Sequence, residues 1–317
     1  MLADIVEHLA CPVCGDRLAL GERALRCPAG HAFDVARQGY VSLLTGSQAP
    51  GTADSPAMVA ARDAFLGAGH FAPLADAVAD ACRTAATAGS TGPAGTGTTA
   101  GTGTTAGTGT TAGTGTTAGT TGAATARAVV ADAGAGTGYY LARVLDRLPG
   151  AAGIALDVSK HAVRRAARAH PRLGAVVADV WRPLPVASGA VDVLLNVFAP
   201  RNGAEFARIL RPGGVLVVVT PTARHLEPLV QRLGLLSVDP SKERRTAESL
   251  GGRFTATGRS TCEFSMRLRH ADVEAVAGMG PSAWHVDAEA VRREIADLPE
   301  TSTVTASFHV STFEPYP

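Results

Sequence analysis

The chain lacks the features that would commit it to a membrane, a disulfide scaffold or bulk polyanion binding. No apolar run among its 317 residues approaches the eighteen or so that span a bilayer. Met1 to Ala10 carries acids and no signal-like apolar core, so a cytoplasmic protein with no membrane partner is expected. Five cysteines are too few and too unevenly placed for a disulfide framework, and their clustering near the start points to metal. Charge of one sign is missing too. With 29 Lys and Arg against 28 Asp and Glu the formal net charge is +1, so any RNA affinity must come from a local patch. Residues 89–124 lack charge, aromatics and apolar side chains larger than alanine, and repeat Ala-Gly-Thr-Gly-Thr-Thr from Ala94, Ala100, Ala106 and Ala112. Such a segment cannot bury enough surface to offset its conformational entropy, which predicts a flexible surface insertion.

Cys11-Pro12-Val13-Cys14 and Cys27-Pro28-Ala29-Gly30-His31 have the form C-x2-C, a twelve-residue gap, then C-x3-H. Each pair curls the backbone so that its ligand atoms face one centre, with Gly15 and Gly30 supplying the turns. Three thiolates (Cys11, Cys14, Cys27) and the His31 imidazole close a tetrahedral site with no vacancy for substrate, so structural Zn2+ is expected. Between them, Arg17 to Leu20 and Ala24 to Arg26 alternate as in a short hairpin. The metal supplies the stability that a module of some forty residues lacks.

The rest of the chain is organised around Val129-Val130-Ala131-Asp132-Ala133-Gly134-Ala135-Gly136-Thr137-Gly138, an apolar strand entering a glycine turn, followed by a helical pattern from Tyr139. Glycines let the backbone approach a ligand while the free N–H groups of the next helix face it. A dinucleotide fingerprint looks similar, but Gly134-x-Gly136-x-Gly138 lacks its third glycine. Asp132 before the turn and Asp157 at the next strand end, placed to bond ribose hydroxyls, favour S-adenosyl-L-methionine. Strands are predicted over Ala128 to Ala131, Gly153 to Leu156, Ala175 to Ala178, Val191 to Asn196 and Val215 to Thr220, with a last one at Ala306 to Val310. Helices are expected at Met58 to Ala68 (Arg62 and Asp63 outward), Leu74 to Thr84 with Cys82 buried, Ser159 to Ala169 and Ala204 to Leu210. This is an α/β pattern, the class I (Rossmann-like) methyltransferase fold behind a small zinc-binding domain. The domain plan is a zinc-binding RNA-recognition module at 1–45, linker and helices at 46–88, the insertion at 89–124 and the methyltransferase domain at 125–317. Ligands sit at the carboxyl ends of such strands, where Asp132, Gly134, Gly136, Thr137, Asp157, Asp179 and Asn196 fall. Asp179 has two further readings, a bond to the adenine amine or a helix cap before Trp181. Arginines from Arg201 to Arg269 outnumber acids and suggest a phosphate-contacting cleft against the zinc module.

The two Cys-Pro motifs, Phe33-Asp34-x-Ala36-x-x-Gly39-Tyr40-Val41, Ala61-Arg62-Asp63-Ala64-Phe65-Leu66-Gly67-Ala68-Gly69-His70-Phe71 and Met266-Arg267-Leu268-Arg269 resemble the RlmA family of 23S rRNA guanine-N1 methyltransferases. The resemblance runs from Cys11 to about Val310 except for the repeat, and it is close to the actinomycete tylosin-resistance branch. It implies methyl transfer to N1 of a guanine in a 23S rRNA hairpin loop, macrolide resistance as a consequence, and a homodimer as an allowed state. It adds Phe71 and His225 as cofactor contacts, while Gly138 completes the cofactor turn. Phe71 stands where tyrosine also occurs, and Ala135 where relatives carry cysteine. N1 of neutral guanine bears a proton, so a base is required; Asp179 is the candidate, and the Asn196-Val197-Phe198-Ala199-Pro200 loop flanks the base. Two other readings are a small-molecule methyltransferase of antibiotic biosynthesis and a non-catalytic rRNA-binding factor. Deleting residues 90–122 is expected to leave melting temperature and activity nearly unchanged, because long surface insertions add little loop-closure entropy; thermal melts and methyl-transfer assays of the deletion variant check this.

Overall fold

The computed structural model describes residues 1–46, 53–88, 127–235, 248–280 and 287–316. The threonine-glycine insertion, whose flexibility the sequence predicts, lies outside them, as do Lys242, Arg244, Arg245 and Trp284. Among the described residues no helix is long and apolar enough to cross a membrane.

The N-terminal module opens with two single-turn helices and builds a three-stranded antiparallel sheet, β1 (Ala19–Leu20), β2 (Ala24–Arg26) and β3 (Ala32–Asp34). The expected hairpin is its first half. The third strand sets Phe33 opposite Leu25, which is fully buried. Next comes β4 (Tyr40–Ser42), which pairs in parallel with the far edge of the large sheet.

That sheet has eight strands in the order β10-β11-β9-β8-β5-β6-β7-β4. The predicted strands are all present with shifted ends, as β5 (Val129–Ala133), β6 (Ala152–Asp157), β7 (Leu173–Val177), β8 (Val191–Val197) and β9 (Leu210–Pro221). β4 to β9 run parallel, whereas β11 (Thr301–Pro315) inserts antiparallel between β9 and β10 (Phe254–Arg269). The central strands are mostly apolar and buried because both faces are covered. On one face lie α1 (Pro56–Gly67), α2 (Ala72–Ala88), α3 (Tyr139–Arg147), α4 (Lys160–Ala166) and a helix at His270–Gly278. The other face carries α5 (Gly203–Ile209) and the start of the chain, with Phe206, Ile209, Ile5 and Leu9 in one core.

The chain order sets where a ligand can sit. From β5 it steps outward through β6 and β7, then returns to β8 on the other side of β5. The loops after β5 and β8 therefore diverge, leaving a crevice at the carboxyl ends of the strands.

Candidate cofactor cavity and metal centre

Strand β5 ends at Ala133, and the turn that follows needs glycine for two reasons. Gly134, Gly136 and Gly138 all have positive φ, at 90°, 54° and 81°, and a Cβ at Gly134 would overlap the Ala199 methyl. The backbone N–H groups of Gly134 and Ala135 both donate to the Leu156 carbonyl, at 2.8 and 3.0 Å. Gly136 N–H donates to Asp157 Oδ2 at 2.8 Å, and Ser159 N–H to Asp157 Oδ1 at 2.8 Å. Burial raises the Asp157 pKa, and these two donors oppose the shift.

Over this turn lies a cavity of about 420 Å³. Of the ten sequence-selected cofactor residues, Phe71, Gly134, Gly136, Thr137, Asp157, Asp179 and His225 line it. Asp132, Gly138 and Asn196 lie off its surface. Gly138 is a packing position: its Cβ would stand 3.1 Å from the Ala166 Cα, where α3 crosses the end of α4. Asn196 braces the loop after β8, donating from Nδ2 to the carbonyls of Ala133 (3.0 Å) and Pro200 (2.8 Å). Asp132 sits directly behind the turn, 1% exposed, and desolvation together with the neighbouring Asp157 charge pushes its pKa up to about 8.

Both Asp132 carboxylate oxygens, the Tyr140 hydroxyl and Asn196 Oδ1 are buried without a protein hydrogen-bond partner. Buried polar atoms are rarely left unpaired. Grouped around one glycine turn, they form an acceptor-rich pole that suits a ligand carrying N–H donors, such as the amino group of S-adenosylmethionine. Asp157 at the next strand end has its outer lone pairs free of protein donors other than two backbone N–H groups, as a ribose acceptor requires. The residues present fit the cofactor.

Phe71 is fully buried and packs edge-on against Phe65 (5.0 Å) and Phe308 (5.1 Å). It contributes an apolar wall to the cavity. His225 stacks 4.5 Å from Phe308 and its Nδ1 accepts the Ser307 N–H at 3.4 Å. Asp179 Oδ1 accepts the Trp181 N–H at 3.0 Å, so the turn-capping role is real, and the carboxylate still faces the cavity.

Two expectations are corrected. Arg62 is not outward: α1 lies across the cavity, and the Arg62 guanidinium pairs with Asp54, donates to the Met279 carbonyl at 2.7 Å and lines the wall beside Gly136. Amphipathic periodicity marks the face away from the core but does not show that a cavity lies there; Asp63, its neighbour, does point out and pairs with Arg165. The arginines of 201–269 do not all stand in loops: Arg208 lies in α5, and Arg259, Arg267 and Arg269 in β10. Arg211 lies at the opposite end of β9 bound to Asp192 (2.5 Å), Arg208 to Glu205 (2.6 Å), Arg224 to Glu263 (2.9 Å) and Arg269 to Asp272 (3.4 Å). Local acids neutralise these four.

The predicted metal ligands do meet. Cys11, Cys14, Cys27 and His31 place their ligand atoms within 4.8 Å of one another, and Gly15 and Gly30 have positive φ as the turns demand. The Cys14–Cys27 sulfurs are 3.6 Å apart, and His31 Nδ1 is 3.3 Å from Cys27 Sγ and 3.7 Å from Cys11 Sγ. With Zn–S near 2.3 Å and Zn–N near 2.0 Å, the edges of a zinc tetrahedron are about 3.5–3.8 Å. The site fits structural zinc bound through Nδ1.

One zinc per chain that is lost in Cys14→Ser is the expected result of metal analysis. Asp132 generates a second prediction. Its folded pKa lies above the unfolded value of 3.8, so the folded state holds the extra proton between that value and about 8, and stability falls as pH rises through this window. The melting temperature of the ligand-free protein should therefore drop between pH 6 and pH 8.5, by up to about 1.4 kcal/mol of stability per pH unit. Asp132→Asn should flatten that slope in thermal melts.

Comparison with known proteins agrees with both sites. The family model described as "RlmA, N-terminal", a zinc ribbon, matches residues 9–48, and the model described as "Methyltransferase domain" matches residues 130–214. A protein of Micromonospora griseorubida named "Putative 23S rRNA (guanine-N(1)-)-methyltransferase" is 49% identical, over 99% of this chain and 100% of its own. A 23S rRNA (guanine(748)-N(1))-methyltransferase of Streptomyces fradiae is 45% identical, over 100% of both chains. A Bacillus subtilis relative, YxjB, is 28% identical over 86% of each. With a zinc-ligand tetrahedron at one end, a nucleotide-sized cavity at the switch point and this identity along its whole length, the chain belongs to the RlmA-type family of 23S rRNA (guanine-N1)-methyltransferases.

Proposed function

We propose that the chain transfers the methyl group of S-adenosylmethionine to N1 of a guanine in a 23S rRNA hairpin loop, the position named for the Streptomyces fradiae relative. The observation that carries this reading is the cavity at the strand ends, with Tyr140 and the Asp157 carboxylate on its wall and the unpartnered Asp132 and Asn196 oxygens behind the same glycine turn. The cofactor supplies an electrophilic methyl group on a sulfonium. Asp157 receives the ribose hydroxyls, Phe71 gives an apolar wall, and Asp132 backs the glycine turn that the cofactor rests on. His225 and Arg62 also line the cavity, the guanidinium held by Asp54 and the Met279 carbonyl.

On the substrate side, Phe198 stands at the cavity mouth, 44% exposed, with φ at 55°. A bulky residue held in that region is a strained conformation of the kind found at functional sites, and the neighbouring Asn196 bonds keep it there. A flipped guanine between this loop and the cofactor has its N1 proton removed by Asp179, the acid at the end of β7; the competing role for the same carboxylate is the adenine amine. Zinc holds the ribbon in shape and takes no part in the chemistry. Macrolide resistance, action in the cytoplasm where ribosomes lie and a homodimer belong to the same reading.

Purified 23S rRNA incubated with labelled cofactor is expected to gain one methyl group at that guanine, mapped by primer-extension arrest. Methylation of small molecules alone, or cofactor binding with no label in any RNA, would sink the reading in favour of the two other ones. Asp179→Asn should lower kcat at least a hundredfold with cofactor affinity nearly unchanged if the carboxylate takes the proton; lost affinity with preserved turnover assigns it to adenine.

A further inference from the structure

Between Asp157 and Asp179 the chain carries no acid and five cations: Lys160, Arg164, Arg165, Arg168 and Arg172. Two of them are engaged. Arg165 pairs with Asp63, and Arg172 donates to the carbonyls of Leu145, Leu148 (2.8 Å) and Ala151 (2.7 Å). Lys160, Arg164 and Arg168 are exposed and, among the described residues, have neither an ion pair nor a hydrogen bond from their side chains. They recur every four residues, so they stand on one face of α4 and the turn that extends it, in a stripe about 12 Å long. The opposite face of α4, with Val163 and Ala166, is fully buried in the core. Several other helix arginines are paired with local acids, as Arg143 is with Asp76 and Arg208 with Glu205, whereas this stripe has no acid in its own segment.

The stripe also has a defined starting point. Lys160 follows Asp157 and Val158, which line the cavity, at the end of β6. At the end of the adjacent strand β7, Trp181 lines the same cavity and is 62% exposed, the largest apolar side chain left open to solvent among the described residues. A row of cations leading to an aromatic face at a pocket mouth is the arrangement that binds single-stranded nucleic acid, the cations tracking phosphates and the ring stacking a base.

The geometry points to an RNA track along α4: Lys160, Arg164 and Arg168 contact successive phosphates of the strand that delivers the target guanine, and Trp181 stacks a base at the cavity rim. The inference rests on the rRNA substrate proposed above, and it moves the phosphate contacts from the 201–269 arginines to α4. The test is fluorescence anisotropy of a labelled transcript of the 23S rRNA hairpin between 50 and 300 mM KCl, with S-adenosylhomocysteine affinity and melting temperature measured in parallel. The double variant Arg164→Ala, Arg168→Ala should bind the hairpin at least tenfold more weakly and lose about 1.4 from the slope of log affinity against log salt, at about 0.7 per phosphate contact of a single strand. Trp181→Ala should weaken RNA binding with the slope unchanged, and Trp181→Phe should recover most of the loss. Cofactor affinity should be that of the parent in the arginine double variant, whose residues lie off the cavity wall. An unchanged hairpin affinity and slope in the double variant would overturn the track, including the case in which the stripe serves a protein partner. Weaker S-adenosylhomocysteine binding by Trp181→Ala, with RNA binding intact, would overturn the stacking role. A parent protein that methylates no RNA at all refutes the proposed function itself, not the track alone.

Discussion

The structure turns on the close approach at Gly134. Three strand ends meet there. The Gly134 and Ala135 N–H groups bind the Leu156 carbonyl of β6, Asn196 of β8 binds the Ala133 carbonyl, and Ala199 presses on the Gly134 Cα with no room for a Cβ. Holding β5, β6 and β8 together at one residue fixes both walls of the crevice that the strand order opens. It also leaves the Asp132 carboxylate stranded behind the turn, in surroundings that hold its proton until a donor arrives. The site is thus organised before the ligand binds, which lowers the ordering cost of binding.

How much of this could be read from residues alone follows the range of the interactions. The zinc tetrahedron and the strand-turn-helix at Val129 to Tyr140 were legible because their ligands and glycines lie within a few residues of one another, where spacing constrains geometry. Arg62 was misread because its partners, Asp54 and the Met279 carbonyl, become neighbours only when α1 is laid over the cavity by contacts with the helix at His270–Gly278. The same reason hid the pairing of Arg211 with Asp192 and of Arg224 with Glu263, although Arg208 with Glu205 is a three-residue helical spacing that could have been found. The unpaired stripe on α4 was open to counting, since no acid falls between Asp157 and Asp179, but its significance depends on which arginines elsewhere are neutralised.

Charge around the cavity is locally balanced. Asp132 sits behind the turn and holds its proton, while Asp157 and the Arg62 guanidinium flank Gly136 on the wall, with Asp54 pairing Arg62. The rings of Phe71 and Tyr140 give the cavity an apolar wall, Phe71 being backed by Phe308, and such a wall keeps water from the region where a methyl group would be transferred.

The zinc ribbon is not a loosely attached module, because the chain around it is built into the large sheet on both sides. Before it, Ile5 fills the space over Gly174 of β7, where any side chain would collide with it, and Ala10 N–H bonds the Pro185 carbonyl while Ala187 N–H bonds that of His8. After it, Tyr40–Ser42 pairs with Ala175–Val177 of the same strand. Strand β7 then runs on to Asp179 and Trp181 at the cavity rim. One strand therefore joins the chain on both sides of the ribbon to the rim: Ile5 packs over Gly174, Tyr40–Ser42 pairs with Ala175–Val177, and the same strand leads on to Asp179 and Trp181 at the cavity.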